Sequence, residues 1–244
     1  MRTMSDERLL HAVRQQVELG RLVPLGSAAD GAWLAERAAA GALRRAVAAA
    51  VPAARIEELR LAVAEPEPAP AAVPPPASAL PPGPLAMTAT VAAPVHQPLP
   101  EYANTLRLTL AQAARDRLGL AVATIDLRVT GLIEDAGEAG GPEVTGTAPG
   151  PADRAGGGAV AAAVRVVPGV YALPHRVEIT DSAQPPCRLV RLVLAVTDGR
   201  RVLDVVREAR LAAADALDDE APGPVRVSAV VTDVVPDGQQ PSAG

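Results

Sequence analysis

The side chains that could perform chemistry are few and widely separated in this sequence. The three histidines, His11, His96 and His175, share no metal-ligand spacing, and the single cysteine, Cys187, belongs to no CxxC pair. Arg188 beside Cys187 could activate the thiol, but no histidine neighbours it in sequence. We therefore expect loop or surface positions for the histidines and a small apolar role for Cys187 at the start of a strand.

Two further segments could bind charged ligands. The glycines at 156–158 superficially resemble a phosphate-binding loop, but no Lys-Ser/Thr follows them and a linker rather than a strand precedes them. The acidic run at 218–220 ends a predicted helix, where the helix dipole disfavours acids, so we expect a solvated patch rather than a cation site. The sequence thus predicts no catalytic, cofactor-binding or metal-binding residue, and a protein that is not an enzyme.

The composition argues against nucleic-acid binding. The chain of 244 residues carries a net charge of −5, contains no Phe, and has only one Trp and two Tyr. Nucleic-acid binding usually requires a basic surface and aromatic rings on which bases stack. The chain is 49% hydrophobic, so a core is expected, packed mainly by Ala, Val and Leu.

The sequence predicts a cytoplasmic location. One cysteine cannot form an internal disulfide, which is typical of a reducing compartment. Charged residues interrupt the first 20 positions, so no signal peptide is expected, and no apolar stretch of about 18 residues could span a bilayer. Association with a membrane would therefore need a protein partner.

The elements that must position these residues recur as strand, alanine-rich helix and strand. In the unit at 1–64, we expect a helix over 5–19, a short strand over 21–25, a helix over 31–50 capped by Asp30, and a strand over 59–63. Residues 65–84 are crowded with prolines and predict an extended polyproline linker, with a docking site for a proline-binding module as the alternative.

The second unit, at 85–133, predicts a strand near 87–91, a helix from about 98 to 118 ended by Gly119, and a half-buried strand over 125–133. Residues 134–158, rich in Gly and Pro, predict a second flexible linker. The third unit, at 159–235, predicts a helix over 159–167, a strand over 175–180 turning at 181–182, a central strand over 189–196, a helix over 200–218 and a closing strand from 225. The tail at 236–244 should be disordered.

Polar second faces on these strands predict helices on one side of the sheet only. The fold class is therefore α+β, with one or more two-layer sandwiches built from repeated strand–helix–strand units.

Residues 159–235 resemble the alkaline-shock protein family of Gram-positive bacteria. The resemblance rests on the turn Val167-Pro168-Gly169-Val170, the apolar strand over 189–196, the helix over 202–209 and the closing strand over 225–235. It implies a non-enzymatic protein associated with cell-envelope stress, which self-associates and is recruited to the membrane by an anchoring partner. It implies no catalytic residues.

We therefore expect a cytoplasmic scaffold or partner-binding protein without cofactors, which binds protein partners through sheet edges and helix faces. The alternative is a nucleic-acid-binding α+β module of regulatory type, since small folds with this rhythm include RNA-binding domains.

Overall fold

The computed structural model describes residues 20–69, 71–133, 158–217 and 221–238. Its strands are β1 (Leu22–Pro24), β2 (Ala32–Ala35), β3 (Arg55–Val63), β4 (Leu85–Pro94), β5 (Val122–Ile133), β6 (Val170–Ala172), β7 (Glu178–Ala183), β8 (Pro186–Thr197) and β9 (Val225–Val235). Its helices are α1 (Glu36–Ala50), α2 (Leu99–Gln112), α3 (Gly158–Arg165) and α4 (Val202–Asp215). The predicted helix over 5–19, nearly all of the linker at 134–158 and the tail beyond 238 lie outside the described residues.

The strands form two mixed sheets, which confirms the α+β class. Sheet A has the order β1-β2-β9-β8, with β6 and β7 both paired to β8, and sheet B has the order β3-β4-β5. Helix α1 contacts β2 and β9 of sheet A, β3 of sheet B, and helix α2, while α4 packs on β8 and β9. One hydrophobic core contains buried residues from all three predicted units.

Two copies of one ββαβ arrangement account for most of the fold. In each copy an antiparallel strand pair, β3-β4 or β7-β8, is followed by a helix and by a strand parallel to the second strand. The helices begin at equivalent positions, Leu99 and Val202. Buried residues then recur at the same separation in sequence, with Tyr102, Leu106 and Leu110 in α2 matched by Val205, Ala209 and Ala213 in α4.

A shared irregularity supports this correspondence. The register between β4 and β5 shifts between Val91 and Ala92, and the register between β8 and β9 shifts between Leu194 and Ala195. In each case the unpaired residue of the last strand is a threonine, Thr130 or Thr232, that follows a valine. A bulge at the same place in both copies, with the same residue types, indicates one architecture used twice.

The first predicted unit is not a third copy. The helix predicted over 31–50 begins only at Glu36, and residues 32–35 instead form the buried strand β2, parallel to β9. The prediction was wrong because pairing with β9 overrides the helix propensity of the alanine-rich sequence: Ala32, Trp33 and Leu34 pair with Ala229, Val230 and Val231. The strands on either side of α1 then belong to different sheets, β2 to sheet A and β3 to sheet B.

The described residues of the proline-crowded segment between β3 and β4 contain several bends and a turn, and parts of the segment lie against sheet A. Leu22 of β1 donates a hydrogen bond to the Ser78 carbonyl, and its own carbonyl accepts one from Leu80. Ala72 donates to the Ala28 carbonyl, and Val73 is buried. The segment therefore covers the outer edge of β1, because its carbonyls and its non-proline amides can still pair with a neighbouring strand.

Within the third unit, two details differ from the predictions. Asp181 and Ser182, predicted as a turn, belong to β7, and the chain reverses instead around the Gln184-Pro185 peptide between β7 and β8. Strand β6 was not predicted from the sequence. The central position predicted for the strand over 189–196 is confirmed, since β8 lies between β9 on one side and β6 and β7 on the other.

Candidate functional site

The clearest cavity borders the outer face of sheet A and is small. Its volume is about 40 Å³, and its lining residues are Pro76, His175, Arg176, Glu178, Arg191, Val193 and Val230. Arg191 Nη1 lies 3.4 Å from Glu178 Oε2, so these two charges pair with each other across β7 and β8. Because ligand pockets usually measure about 300–1,000 Å³, this cavity is far smaller than an ordinary ligand site.

The residues that the sequence singled out are not brought together. His96 is exposed in the loop between β4 and α2, whereas His175 borders the cavity and Cys187 is buried in β8 outside its lining. His11, the glycines at 156 and 157 and the acidic run at 218–220 lie outside the described residues. Among the described residues, no group of three or more His, Cys, Asp or Glu could hold a metal ion.

The best-formed charged cluster joins distant parts of the chain. Asp30 is buried and accepts hydrogen bonds from Arg207 Nε at 2.7 Å and Nη2 at 3.1 Å, and from the Ser27 amide and hydroxyl. Burial alone would raise the pKa of Asp30, but the bonds from Arg207 and Ser27 outweigh it and lower the pKa below its ordinary value. The cluster therefore fixes the turn before β2 against α4.

A second buried carboxylate connects the two sheets. Glu36, the first residue of α1, accepts a hydrogen bond at 2.8 Å from the amide of Leu61 in β3 and lies 3.8 Å from Arg21. The Leu61 amide belongs to the edge of β3 that does not face β4. Asp30 was predicted as the N-cap of the helix over 31–50, which was wrong, because α1 begins at Glu36 and its N-cap is Ala35. The sequence indicated neither Glu36 nor the ion pair of Asp30, because their partners are far away along the chain.

Other ion pairs also connect elements of the fold. Arg188 and Asp181 lie opposite each other in β8 and β7 and form a bidentate pair at 2.7 and 2.8 Å. The hydrogen bond from Arg188 lowers the pKa of Asp181. Arg200, which precedes α4, forms a similar bidentate pair with Glu208 of α4 at 2.6 and 2.9 Å and also donates to the Pro168 carbonyl at 2.8 Å. These arginines hold neighbouring elements together, which is a structural use of their charge.

The surface offers two features of a different kind, both in sheet B. One is a group of exposed apolar residues where β4 and β5 end and α2 begins, Val95 (46% exposed), Leu99 (43%) and Leu132 (61%). The Val95 amide donates to the Ile133 carbonyl and Leu132 pairs with Ala93, so this group lies at one end of the sheet. We call these three residues the end patch. The other feature is the outer edge of β5, with which no described strand pairs.

No helix among the described residues is long and apolar enough to cross a membrane. No family model, curated protein or solved structure matches the chain.

Proposed function

We propose that this protein is a non-enzymatic scaffold that binds protein partners in the cytoplasm, related to the alkaline-shock proteins and associated with cell-envelope stress. The observation that carries the proposal is the end patch, where three large apolar side chains face solvent at one end of sheet B. Exposed apolar groups that cluster in this way are typical of protein-binding surfaces.

The second copy of the ββαβ arrangement supports this interpretation. By the correspondence described above, Leu99 is equivalent to Val202, and Leu132 is equivalent to Val234. Val202 is 0% exposed and Val234 is 6% exposed. Helix α1 contacts β9 at this copy, where Arg45 donates to the Val234 carbonyl at 2.7 Å. The same position is thus covered by protein in one copy and exposed in the other, which favours a partner that covers the end patch.

The resemblance of residues 159–235 to the alkaline-shock proteins gives the proposal its biological setting. It implies that the scaffold self-associates and reaches the membrane through an anchoring protein partner, without inserting a segment of its own. The arrangement of charges is compatible with this role, because the best-defined carboxylate–arginine pairs join elements of the fold instead of converging on a cavity.

Leu99→Glu tests the proposal with little risk to the fold. Leu99 is the first residue of α2, where a negative charge is favoured by the helix dipole, so the variant should fold normally. Leu108→Glu is the matched control, since Leu108 lies on the same helix, is 57% exposed and lies outside the end patch. Each full-length chain is expressed in the native host and its co-purifying proteins are identified by mass spectrometry.

We expect a defined partner to co-purify with the wild type and with Leu108→Glu and to be lost with Leu99→Glu. Membrane association of the chain in cell fractions should be lost with the same variant. A wild-type chain that purifies alone, or partner sets that do not differ between the two variants, would contradict the proposal.

A further inference from the structure

The outer edge of β5 is a long strand edge with which none of the described strands pairs. β5 spans Val122–Ile133, and register shifts next to β4 leave residues 123 and 130 unpaired, so residues 124–129 form a regular stretch between two bulges. An unpaired strand edge presents main-chain donors and acceptors that can bind another strand.

The second copy of the ββαβ arrangement shows what such an edge accepts. Strand β9, the equivalent of β5, pairs on its outer edge with β2 through Ala229, Val230 and Val231. By the correspondence of the two copies, these residues match the regular stretch of β5. The same edge of the repeated arrangement therefore carries a neighbouring strand in sheet A and carries none of the described strands in sheet B.

The side chains of β5 are complementary to a second copy of the same strand. In an antiparallel pair centred on Leu127, Asp126 of each chain lies opposite Arg128 of the other, so that two opposite-charge pairs form on the exposed face. On the helix-facing side, Ile125 lies opposite Val129 and Leu127 opposite its own copy. Both faces of the strand are therefore matched by one two-fold arrangement, which is the usual symmetry of a homodimer.

Neighbouring registers lack this match. Centring the pair on Asp126 places two aspartates opposite each other, and centring it on Arg128 places two arginines opposite each other. If one chain instead slides by a single residue along the other, the helix-bearing faces of the two B sheets lie on opposite sides of the joined sheet. Strand β7 also has an outer edge without a described neighbour, but it carries Glu178 and Asp181 and no basic residue, so it offers no opposite-charge pair to a second copy of itself.

The main chain of β5 has the orientation that this register needs. The Ile125 carbonyl accepts a hydrogen bond from Arg107 Nε of α2 at 3.4 Å, so it is turned away from β4. Alternate residues of a strand direct their main-chain groups to the same side, which places those of Leu127 and Val129 at the outer edge as well. Arg107 is exposed, and its long hydrogen bond is easily exchanged for one from a second chain.

We propose that two copies of this protein pair through β5, antiparallel and centred on Leu127, and join their B sheets into one continuous sheet. This rests on the proposed scaffold function and names one of its partners, a second copy of the chain. Because one short strand pair buries less than about 1,200 Å² in total, dimerisation should be weak, on the order of micromolar or weaker.

Charge reversal followed by mixing tests the register. The full-length chains are studied by sedimentation equilibrium from low to high micromolar concentration. The wild-type average mass should rise from 24.8 kDa towards twice that value. Asp126→Arg and Arg128→Asp each place like charges opposite each other and should weaken dimerisation by at least about tenfold. An equimolar mixture of the two variants restores both opposite-charge pairs and should dimerise like the wild type.

Asp116→Arg is the matched control, because it makes the same charge change at an exposed residue next to α2, paired with Arg115. It should dimerise as the wild type does. A wild-type chain that stays monomeric throughout, or a mixture that fails to restore dimers, would overturn the inference. The scaffold proposal and the dimer proposal can fail separately. If only the dimer proposal is wrong, partner binding that depends on Leu99 persists in a monomeric chain. If only the scaffold proposal is wrong, dimers formed through β5 persist in Leu99→Glu.

Discussion

Arg207 of α4 donates two hydrogen bonds to the carboxylate of Asp30, a residue that precedes it by 177 positions. Asp30 also accepts from both the amide and the hydroxyl of Ser27. One carboxylate thus orders the turn that leads into β2 and attaches that turn to the helix of the second ββαβ copy. Since β2 pairs with β9 in sheet A, the ion pair of Asp30 with Arg207 helps to hold the first part of the chain on the rest of the fold.

Asp30→Asn should destabilise the protein by about 1–3 kcal/mol, because Arg207 would lose a charged, bidentate partner in a largely buried position. Chemical denaturation at neutral pH measures this difference in the free energy of unfolding. Asp116→Asn, which alters an exposed pair with Arg115, should change the stability by less than about 0.5 kcal/mol. Equal losses in the two variants would show that Asp30 has no special role.

The same carboxylate predicts a dependence of stability on pH. The pKa of Asp30 is lower in the folded protein than its ordinary value of 3.8, so the folded state favours the ionised form. Its stabilising contribution is complete above pH 3.8 and is lost as the pH falls through the lower, folded-state pKa. The difference in stability between the wild type and Asp30→Asn should therefore shrink on acidification below pH 3.8. A difference that stays constant to lower pH would contradict this assignment.

Glu36 should be required for the contact between the sheets. Glu36→Ala leaves the buried Leu61 amide without its acceptor and should cost about 1–3 kcal/mol. Glu36→Gln retains an acceptor oxygen and should recover much of that loss. Hydrogen exchange provides the direct measurement, since the Leu61 amide should exchange faster in Glu36→Ala than in Glu36→Gln. Unchanged exchange at Leu61 in both variants would show that the carboxylate does not protect it.

Gly119 should tolerate no side chain. Its φ is +81°, and an added Cβ would lie 3.0 Å from Leu203 Cδ2 of α4 and nearer still to Leu203 Cβ. Gly119→Ala should therefore destabilise the protein by about 1–3 kcal/mol, from backbone strain together with overpacking. Gly158→Ala is the control, because no atom lies within 4 Å of a Cβ at that position. Thermal unfolding should separate the two variants, and equal midpoints would argue against the close contact with Leu203.

The proline-crowded segment should behave as part of the folded domain. The amides of Ala72 and Leu80 donate to the carbonyls of Ala28 and Leu22. Both should therefore exchange with solvent at least about tenfold more slowly than in an unstructured peptide. Hydrogen exchange of the intact chain measures this directly. Exchange at the peptide rate would mean that the segment does not remain on the edge of β1.

Local patterns predicted the repeated parts of the fold well. The strands β4, β5, β8 and β9 and the helices α2 and α4 all lie where alternating or helical spacing of apolar residues predicts them, although the bounds differ by a few residues. Gly119 ends the helical turns after α2 as expected, with a left-handed backbone. The helices and the strands β4 and β5 were predictable because the spacing of their apolar residues marks one face, and β8 was predictable because residues 189–196 form an apolar run interrupted only by Arg191.

The first part of the chain was less predictable for the same physical reason. Residues 32–35 are buried on both faces of sheet A, so no alternation of polar and apolar residues distinguishes this strand from the start of an alanine-rich helix.

The candidate surfaces could not be predicted from the sequence either. Leu99 and Val202 have similar side chains at equivalent positions, but Leu99 is exposed and Val202 is buried, because the elements packed around the two copies differ.

By itself, the sequence determined the α+β class, the repeated strand–helix–strand rhythm and the lack of spacing for a metal or catalytic site, because these depend on local periodicity and residue type. The tertiary structure decided which sheet each strand joins, which carboxylates are buried with arginine or amide partners, and which edge of sheet B has no neighbour among the described strands. Those properties depend on contacts between residues far apart in the chain, such as Asp30 with Arg207, and no local pattern encodes them.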